Sequence, residues 1–372
     1  MSSKLFSPFA IRGAAYANRI AVSPMAQYKG DNGSATRWHD QHLGSFAASN
    51  PGLVFFESTS VEREGWGSLD CLALHSDEHE TAIRQVLDNI RTYSETPFAI
   101  QFGHSGRKGS GKTPAGGRGP LPVEEGGWPV WGPSEIAYAD GHPTPVAFGD
   151  DDLDRVRESY RQAAERVNRL DLTLVELHGA HGYLLHTFMS PLSNQRADAY
   201  GGTLKKRTAF VAEIVEIVRR ELHDDRVLGI RLNAHDYVGE GTTFEDTIEI
   251  VKILRDAGLD YVCVSAGAIT NEAKIEQSPG YLVPFASDLK KATNIHAFVT
   301  GMIIQPHQAE EVIADGHADM VEIARGFLDD PRWVWHAAES LGVELDFMMQ
   351  YWMAKPGRWP GAGIIRGTVA AE

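Results

Sequence analysis

The stretch VELHGAHGYLLHTFMSPLSNQRADAYGG, residues 175–202, organises the reading of this chain. It grows out of a short apolar run, Leu172-Thr173-Leu174-Val175-Glu176-Leu177, that reads as a buried strand, and it breaks at His178-Gly179-Ala180-His181-Gly182-Tyr183. Two imidazoles and a phenol therefore fall within six residues just past a strand end. The small residues between them let the backbone turn tightly and approach a flat ligand. Polar rings at the carboxyl end of a barrel strand point to chemistry, because the active site of a barrel collects on that face.

Working outward, eight apolar, β-branched runs recur: Ile20–Ser23, Leu53–Glu57, Phe98–Phe102, Leu172–Leu177, Val227–Leu232, Tyr261–Ser265, His296–Thr300 and Met320–Ala324. Stretches with helical spacing separate them: Trp38–Ala48, Asp77–Tyr93, Asp151–Arg169, Leu204–Leu222, Phe244–Ala257, Phe285–Thr293, Pro306–Ala314 and Pro331–Leu341. Strand alternating with helix argues for a parallel sheet, and eight repeats at this length argue for an α/β chain closed as a (β/α)8 TIM barrel. No GxGxxG follows an early strand, which counts against a dinucleotide-binding open sheet. The expected organisation is one barrel domain over 1–372. It carries a long irregular insertion at 103–149, read as a lid or a pocket wall, and a C-terminal tail at 343–372.

Composition narrows the partners. The 372 residues are 42% hydrophobic and 23% charged, as in an ordinary globular protein, and the net charge of -15 disfavours nucleic acid and anionic membranes. The opening MSSKLFSPFAIRG has no apolar core of signal-peptide length, and no run approaches the ~18 apolar residues of a membrane span. Cys71 and Cys263 stand far apart outside any CxxC pattern, so reduced thiols in a cytoplasmic protein are expected.

The histidine pair admits three readings. A catalytic zinc normally takes three protein ligands, and no third ligand stands at a matching spacing, so no metal is expected. Both rings could instead be satisfied loop residues. The sharper reading is a donor pair gripping a carbonyl or nitro oxygen, with Tyr183 as proton donor, since neutral imidazole donates and a phenol keeps its proton until a carbanion needs it. Elsewhere, Thr300-Gly301-Met302 and Ala324-Arg325-Gly326 close the seventh and eighth strands, where barrels commonly bind phosphate. Glycine lets backbone N–H groups reach phosphate oxygens, and Arg325 adds a charge-assisted clamp. Ser23-Pro24-Met25-Ala26 closes the first strand, Gln101 the third and Arg231 the fifth. A cation inside a barrel needs a partner; an anionic reduced flavin would be one, and Gln101 can both donate to and accept from a flavin edge.

Taken together, Asn18-Arg19-Ile20 with Ser23-Pro24-Met25, Gln101-Phe102-Gly103-His104-Ser105-Gly106-Arg107-Lys108, the His178–Tyr183 stretch, Ser190-Pro191-Leu192-Ser193-Asn194-Gln195-Arg196, Tyr200-Gly201-Gly202 and Arg325-Gly326 resemble the Old Yellow Enzyme family of FMN-dependent ene-reductases. The pattern is most similar to the bacterial xenobiotic-reductase and thermophilic-like branch. The resemblance implies FMN at the barrel mouth, with Ser23, Pro24, Ala26, Ser58, Gln101 and Arg231 along the isoalloxazine and Gly301, Met302, Ala324 and Arg325 at the phosphate. It implies that His178 and His181 bind the substrate oxygen, that Tyr183 is the acid and that Tyr28 walls the pocket. NADPH or NADH would supply hydride, the acceptor would be a small molecule with an activated C=C bond, and a homodimer or higher homo-oligomer is expected.

Two positions depart from that branch. Ala26 stands where a flavin-tuning Cys is common. Gln350-Tyr351 is followed by Trp352-Met353 rather than an Arg entering the partner's site, which leaves Trp352, Arg358 or Trp359 as substitutes. The segment from Gly109-Ser110 to Glu124-Glu125-Gly126-Gly127-Trp128-Pro129 is similar to the reductase portion of anthraniloyl-CoA monooxygenase/reductases. This keeps open an alternative substrate, a dearomatised aryl-CoA or a dienoyl-CoA. Demethylase-type relatives carry a Cys-rich iron–sulfur segment, and two isolated cysteines disfavour them.

Overall fold

In the computed structural model, which describes residues 2–365, eight parallel strands close into a barrel. They are β1 (Ile20–Val22), β2 (Leu53–Ser60), β3 (Phe98–Gly103), β4 (Leu174–Gly179), β5 (Val227–Asn233), β6 (Tyr261–Ser265), β7 (His296–Val299) and β8 (Met320–Ile323). Each pairs with the next, and β8 closes on β1. The α/β barrel expected from the sequence is thus the architecture observed. Its outer helices are α1 (Arg37–Ala47), α2 (Asp77–Arg91), α3 (Asp150–Leu170), α4 (Leu204–Glu221), α5 (Phe244–Asp256), α6 (Val283–Thr293), α7 (Pro306–Ala314) and α8 (Trp333–Ser340). Local chemistry starts several of them: the hydroxyls of Thr36, Ser76, Thr203 and Thr243 accept from free N–H groups of the first turns of α1, α2, α4 and α5.

Period-two alternation divides the core into two shells. Ile20, Val22, Val54, Ile100, Val175, Leu177, Ile230, Val262 and Val321 point outward against the helices. Ala21, Leu53, Phe55, Ala99, Leu174, Val227, Tyr261, Cys263, Phe298 and Met320 point inward. A hairpin, Phe9–Ile11 with Ala14–Tyr16, caps the amino-terminal end of the barrel and joins the inner shell. Above the apolar layer the inward positions turn polar, giving Ser23, Gln101, Glu176, Arg231 and Glu322, all buried.

The second strand runs to Ser60, beyond its expected end at Glu57. Its pairing with β3 shifts register between Phe56 and Ser58, so Glu57 is an extra residue. Such a bulge re-aims the chain, and a pattern of alternating apolar residues does not reveal it. Among the described residues no helix is long and apolar enough to cross a membrane. Residues 366–372 of the expected tail lie outside the described residues.

The inner shell leaves no spare room at Gly229. A Cβ there would lie 1.9 Å from the Tyr261 ring, which is stacked at 4.0 Å on Phe298. Gly229→Ala should destabilise the barrel by about 1–3 kcal/mol, the usual cost of overpacking. A lowered midpoint of chemical unfolding would show it, and an unchanged midpoint would mean that Tyr261 has space to move.

Candidate active site

Past the end of β4 the chain makes a tight turn through two left-handed residues, His181 (φ 58°) and Gly182 (φ 73°). Glycine is required at the second, because a Cβ would sit 2.4 Å from the Ala268 carbonyl oxygen. At the first, a histidine holds a conformation costly for a side chain, and its surroundings impose it. Its N–H donates to Asn233 Oδ1 (3.3 Å), and its carbonyl accepts from Lys108 Nζ (2.8 Å). The turn stacks three rings edge to face: His178 lies 5.1 Å from His181 and 4.7 Å from Tyr183, centroid to centroid. The sequence-derived trio is therefore one cluster.

The surroundings set the protonation of these rings. The Ala180 N–H donates to His178 Nδ1 (3.3 Å), which leaves the ring proton on Nε2. His181 Nε2 lies 2.6 Å from Ser265 Oγ; when that hydroxyl donates, the ring proton moves to Nδ1 and that nitrogen becomes a donor. Burial holds His178 well below the usual imidazole range, and His181, Arg231 and Lys108 push it further. His181 is brought down to about 3, by burial first and then by Arg231 and Lys108. Burial lifts Tyr183 to about 12, with Tyr28 and Cys71 adding to it. At neutral pH the site therefore holds two neutral imidazoles and a protonated phenol. Burial and Arg107 bring Lys108, which lies 5.1 Å from the Tyr183 ring centroid, down to about 8.

A second rank braces the turn. The Gly182 N–H donates to His186 Nδ1 (2.9 Å), and His186 Nε2 meets Asp236 Oδ1 at 2.9 Å. Asp236 also accepts from Ser190 Oγ (2.8 Å). The segment from Ser190 to Arg196 is thus scaffolding: Asn194 ties the carbonyls of Phe188 and Tyr200, and Arg196 pairs with Asp198.

Beneath the rings, Arg231 donates from Nε to Glu176 Oε1 (3.1 Å) and from a terminal nitrogen to Glu322 Oε2 and to Ser23 Oγ (3.0 Å). Gln101 Nε2 donates to the same Glu176 oxygen (2.7 Å), and Tyr261 donates to the other (3.0 Å). The partner that the sequence reading sought in a reduced flavin is supplied, within the protein, by two carboxylates. Both were visible as charges inside apolar strand runs, a signal of partnered burial, yet neither was singled out. Ser265, Asn233 and Lys108 were missed as well; nothing local distinguishes them. Glu176, Cys263 and Glu322 offer ligand atoms within 4.8 Å of one another, but the Arg231 guanidinium already pairs with both carboxylates, a poor setting for a second cation.

The remaining positions gather around this floor. Ala26, Tyr28, Ser58 and Tyr183 line a cavity of about 570 Å³. Most of its wall comes from the 103–149 insertion, including Ser105, Lys108, Lys112, Arg118, Tyr138 and His142. Pro24 follows Ser23 at the end of β1. Gly301 (φ 102°) and Met302 (φ 55°) follow β7, and Ala324 and Arg325 follow β8. Arg325 is exposed and has no ion pair among the described residues. A free guanidinium beside left-handed loop backbone fits a terminal phosphate, and an amide side chain with a guanidinium under the mouth fits a flavin edge, so the donor set matches FMN. In the tail, Arg358 stacks on Trp352 at 3.7 Å, and Trp352 and Trp359 stay partly exposed on this chain's own surface.

A parallel barrel with such a donor set at its carboxyl face defines a flavin-dependent oxidoreductase. The NADH:flavin oxidoreductase / NADH oxidase family model matches residues 4–344, and the chain belongs to this family, the Old Yellow Enzymes. A NADPH dehydrogenase of Geobacillus sp. (strain WCH70) is 35% identical over 353 residues, 94% of this chain and 98% of the relative. A NADH:flavin oxidoreductase of Gibberella zeae is 35% identical over 375 residues, 96% and 90% of the two chains. In shape the chain is similar to morphinone reductase (TM-score 0.76, 23% identity, 92% of this chain and 91% of that one). It is also similar to 2-naphthoyl-CoA reductase (TM-score 0.81, 24% identity), of which it spans 53% while 93% of this chain is covered. The protein is an FMN-dependent oxidoreductase with a nicotinamide hydride donor.

Ser265 should matter through the His181 tautomer. Ser265→Ala should weaken binding of a phenol, followed by visible absorbance titration, by roughly tenfold, the scale of one hydrogen bond of about 1–1.5 kcal/mol. An unchanged Kd would mean that His181 donates whatever Ser265 does.

Proposed function

We propose that this protein is an NAD(P)H-dependent ene-reductase that saturates activated C=C bonds, chiefly of α,β-unsaturated carbonyl compounds and also of nitro compounds. The observation that carries the reading is the edge-to-face trio of two neutral histidines and a protonated tyrosine, with Tyr183 on the wall of a cavity of about 570 Å³. Bound FMN, held by Ser23, Pro24, Ala26, Ser58, Gln101 and Arg231 and by Gly301, Met302, Ala324 and Arg325, supplies hydride taken from NADPH or NADH. His178 and His181 hold the acceptor oxygen and stabilise the negative charge that grows on it as the β-carbon is reduced. Because both rings are neutral, they donate without adding a proton to the oxygen. Tyr183 delivers its proton to the α-carbon: a phenol lifted to about 12 keeps that proton at neutral pH and yields it to a strongly basic carbanion. Tyr28 lines the cavity beside Tyr183 and would wall the bound acceptor.

A second reading, a CoA-linked acceptor such as a dearomatised aryl-CoA or a dienoyl-CoA, is favoured by Arg118. This exposed arginine lines the cavity without an ion pair among the described residues, whereas neighbouring Lys112 is held by Glu125 at 3.0 Å. Free thiols at Cys71 and Cys263 accord with a cytoplasmic enzyme. The exposed Met349, Tyr351, Trp352 and Met353 accord with a homodimer or higher homo-oligomer.

Tyr183→Phe should leave flavin reduction by NAD(P)H nearly intact and slow enone reduction by roughly 10²–10⁴-fold, the usual share of a general acid. Stopped-flow traces of the two half-reactions decide this, and equal slowing of both would remove Tyr183 from the proton-donor role. Arg118→Ala should raise KM for an enoyl-CoA by roughly tenfold, as expected from losing one charge-assisted contact of about 1.5 kcal/mol, and leave a free cyclic enone unaffected. Equal KM values for wild type and variant on the thioester would set the CoA reading aside.

A further inference from the structure

The polar floor of the barrel contains a group that the proposed reaction does not use. Glu176 on β4 and Glu322 on β8 face one guanidinium, that of Arg231 on β5. All three side chains are buried. Two carboxylates against one cation leave this layer one negative charge in excess when both are ionised, in a place where an uncompensated charge is costly. Like charges sharing one site cannot both ionise freely, so such a pair holds or takes a proton. The same side chains join the floor to the flavin-side positions: Gln101 donates to Glu176, and Ser23 donates to Glu322 (3.1 Å).

We propose that Glu176 and Glu322 act as a proton-accepting pair beneath the flavin, binding one solvent proton when the cofactor is reduced and releasing it on reoxidation. The balance is simple. With FMN bound, hydride from NAD(P)H would bring two electrons and one proton onto the flavin and so add one negative charge near Arg231. A solvent proton binding the carboxylate pair offsets that charge. When hydride leaves for the acceptor, the proton returns to solvent, and the proton delivered by Tyr183 is a separate one.

Other groups facing the pair do not compete for this proton. Tyr261 and Cys263, both from β6, are held well above their ordinary values, first by burial. His178, next above Glu176 on β4, is held well below, and Arg231 keeps its charge. Burial pushes the Glu176 carboxyl up to about 7, with Arg231 opposing and Glu322 adding. Further negative charge close by moves Glu176 upward again, so uptake is expected at mildly alkaline pH.

The inference rests on the flavin lying over Arg231 and is independent of which acceptor is used. Its test is proton uptake by the FMN-loaded protein, reduced anaerobically with NADPH in weak buffer containing a pH indicator. Wild type should take up about one proton per flavin at mildly alkaline pH, and E322Q should take up none. In spectroelectrochemical titration the wild-type midpoint potential should fall more steeply with pH than that of E322Q, by about 30 mV per tenfold change in proton concentration, the two-electron equivalent of one proton. No uptake by wild type would overturn the proposal, as would uptake that persists in E322Q, since the carboxylate pair would then not be what binds the proton. Should E322Q fail to hold FMN, the infrared difference spectrum of wild type decides: a protonated-carboxyl band must appear on reduction, and its absence overturns the proposal.

Discussion

The buried guanidinium of Arg231 is the constraint around which this molecule is arranged. A cation in the interior of a closed barrel is tolerated only when its hydrogen-bonding capacity is met. The groups that surround it come from separate strands or their ends: Ser23 from β1, Gln101 from β3, Glu176 from β4 and Glu322 from β8. A one-residue slip of β4 would turn Glu176 into the apolar shell between strands and helices and bring Val175 to face the guanidinium. The polar layer therefore fixes register across the barrel as well as providing the floor of the site.

The same alternation that points Glu176 inward points His178 inward one step higher, at the mouth. From there the chemistry depends on how rigidly the turn is held. His181 keeps a left-handed backbone because Asn233 and Lys108 hold its N–H and carbonyl. The next residue is anchored by the His186–Asp236 pair. Loops positioned by a rigid scaffold are where barrels place their reactive groups, and here the bracing comes from β5 and from the loops after β3, β4 and β5. Desolvation has opposite consequences for the two residue types: it keeps the imidazoles neutral and the phenol protonated, the states that the proposed roles require.

Much of this was legible in the chain. Eight apolar runs separated by helical spacing specify a parallel barrel, because period two and period 3.6 distinguish strand from helix locally. The cluster of His178, His181 and Tyr183 was legible because all three lie within six residues, too close to be separated by folding. Gly301 and Arg325 stood out as a candidate phosphate site through the general rule that the last two strand ends of a barrel attract phosphate. The insertion announced itself by length and irregularity, although its role as the main wall of the cavity required coordinates.

What tertiary structure alone decided is whatever depends on barrel closure. Ser265 meets His181 across 84 positions of sequence, and Glu322 meets Arg231 across 91. No local period carries such pairings, because they follow from the order in which strands join and from the side chains that share a level inside the barrel. The tautomer of His181, the second carboxylate under Arg231 and the bulge that adds Glu57 to β2 are consequences of that closure. Sequence determined the strands, the helices and the reactive residue types; packing determined their protonation and their partners, since both are set by neighbours distant along the chain.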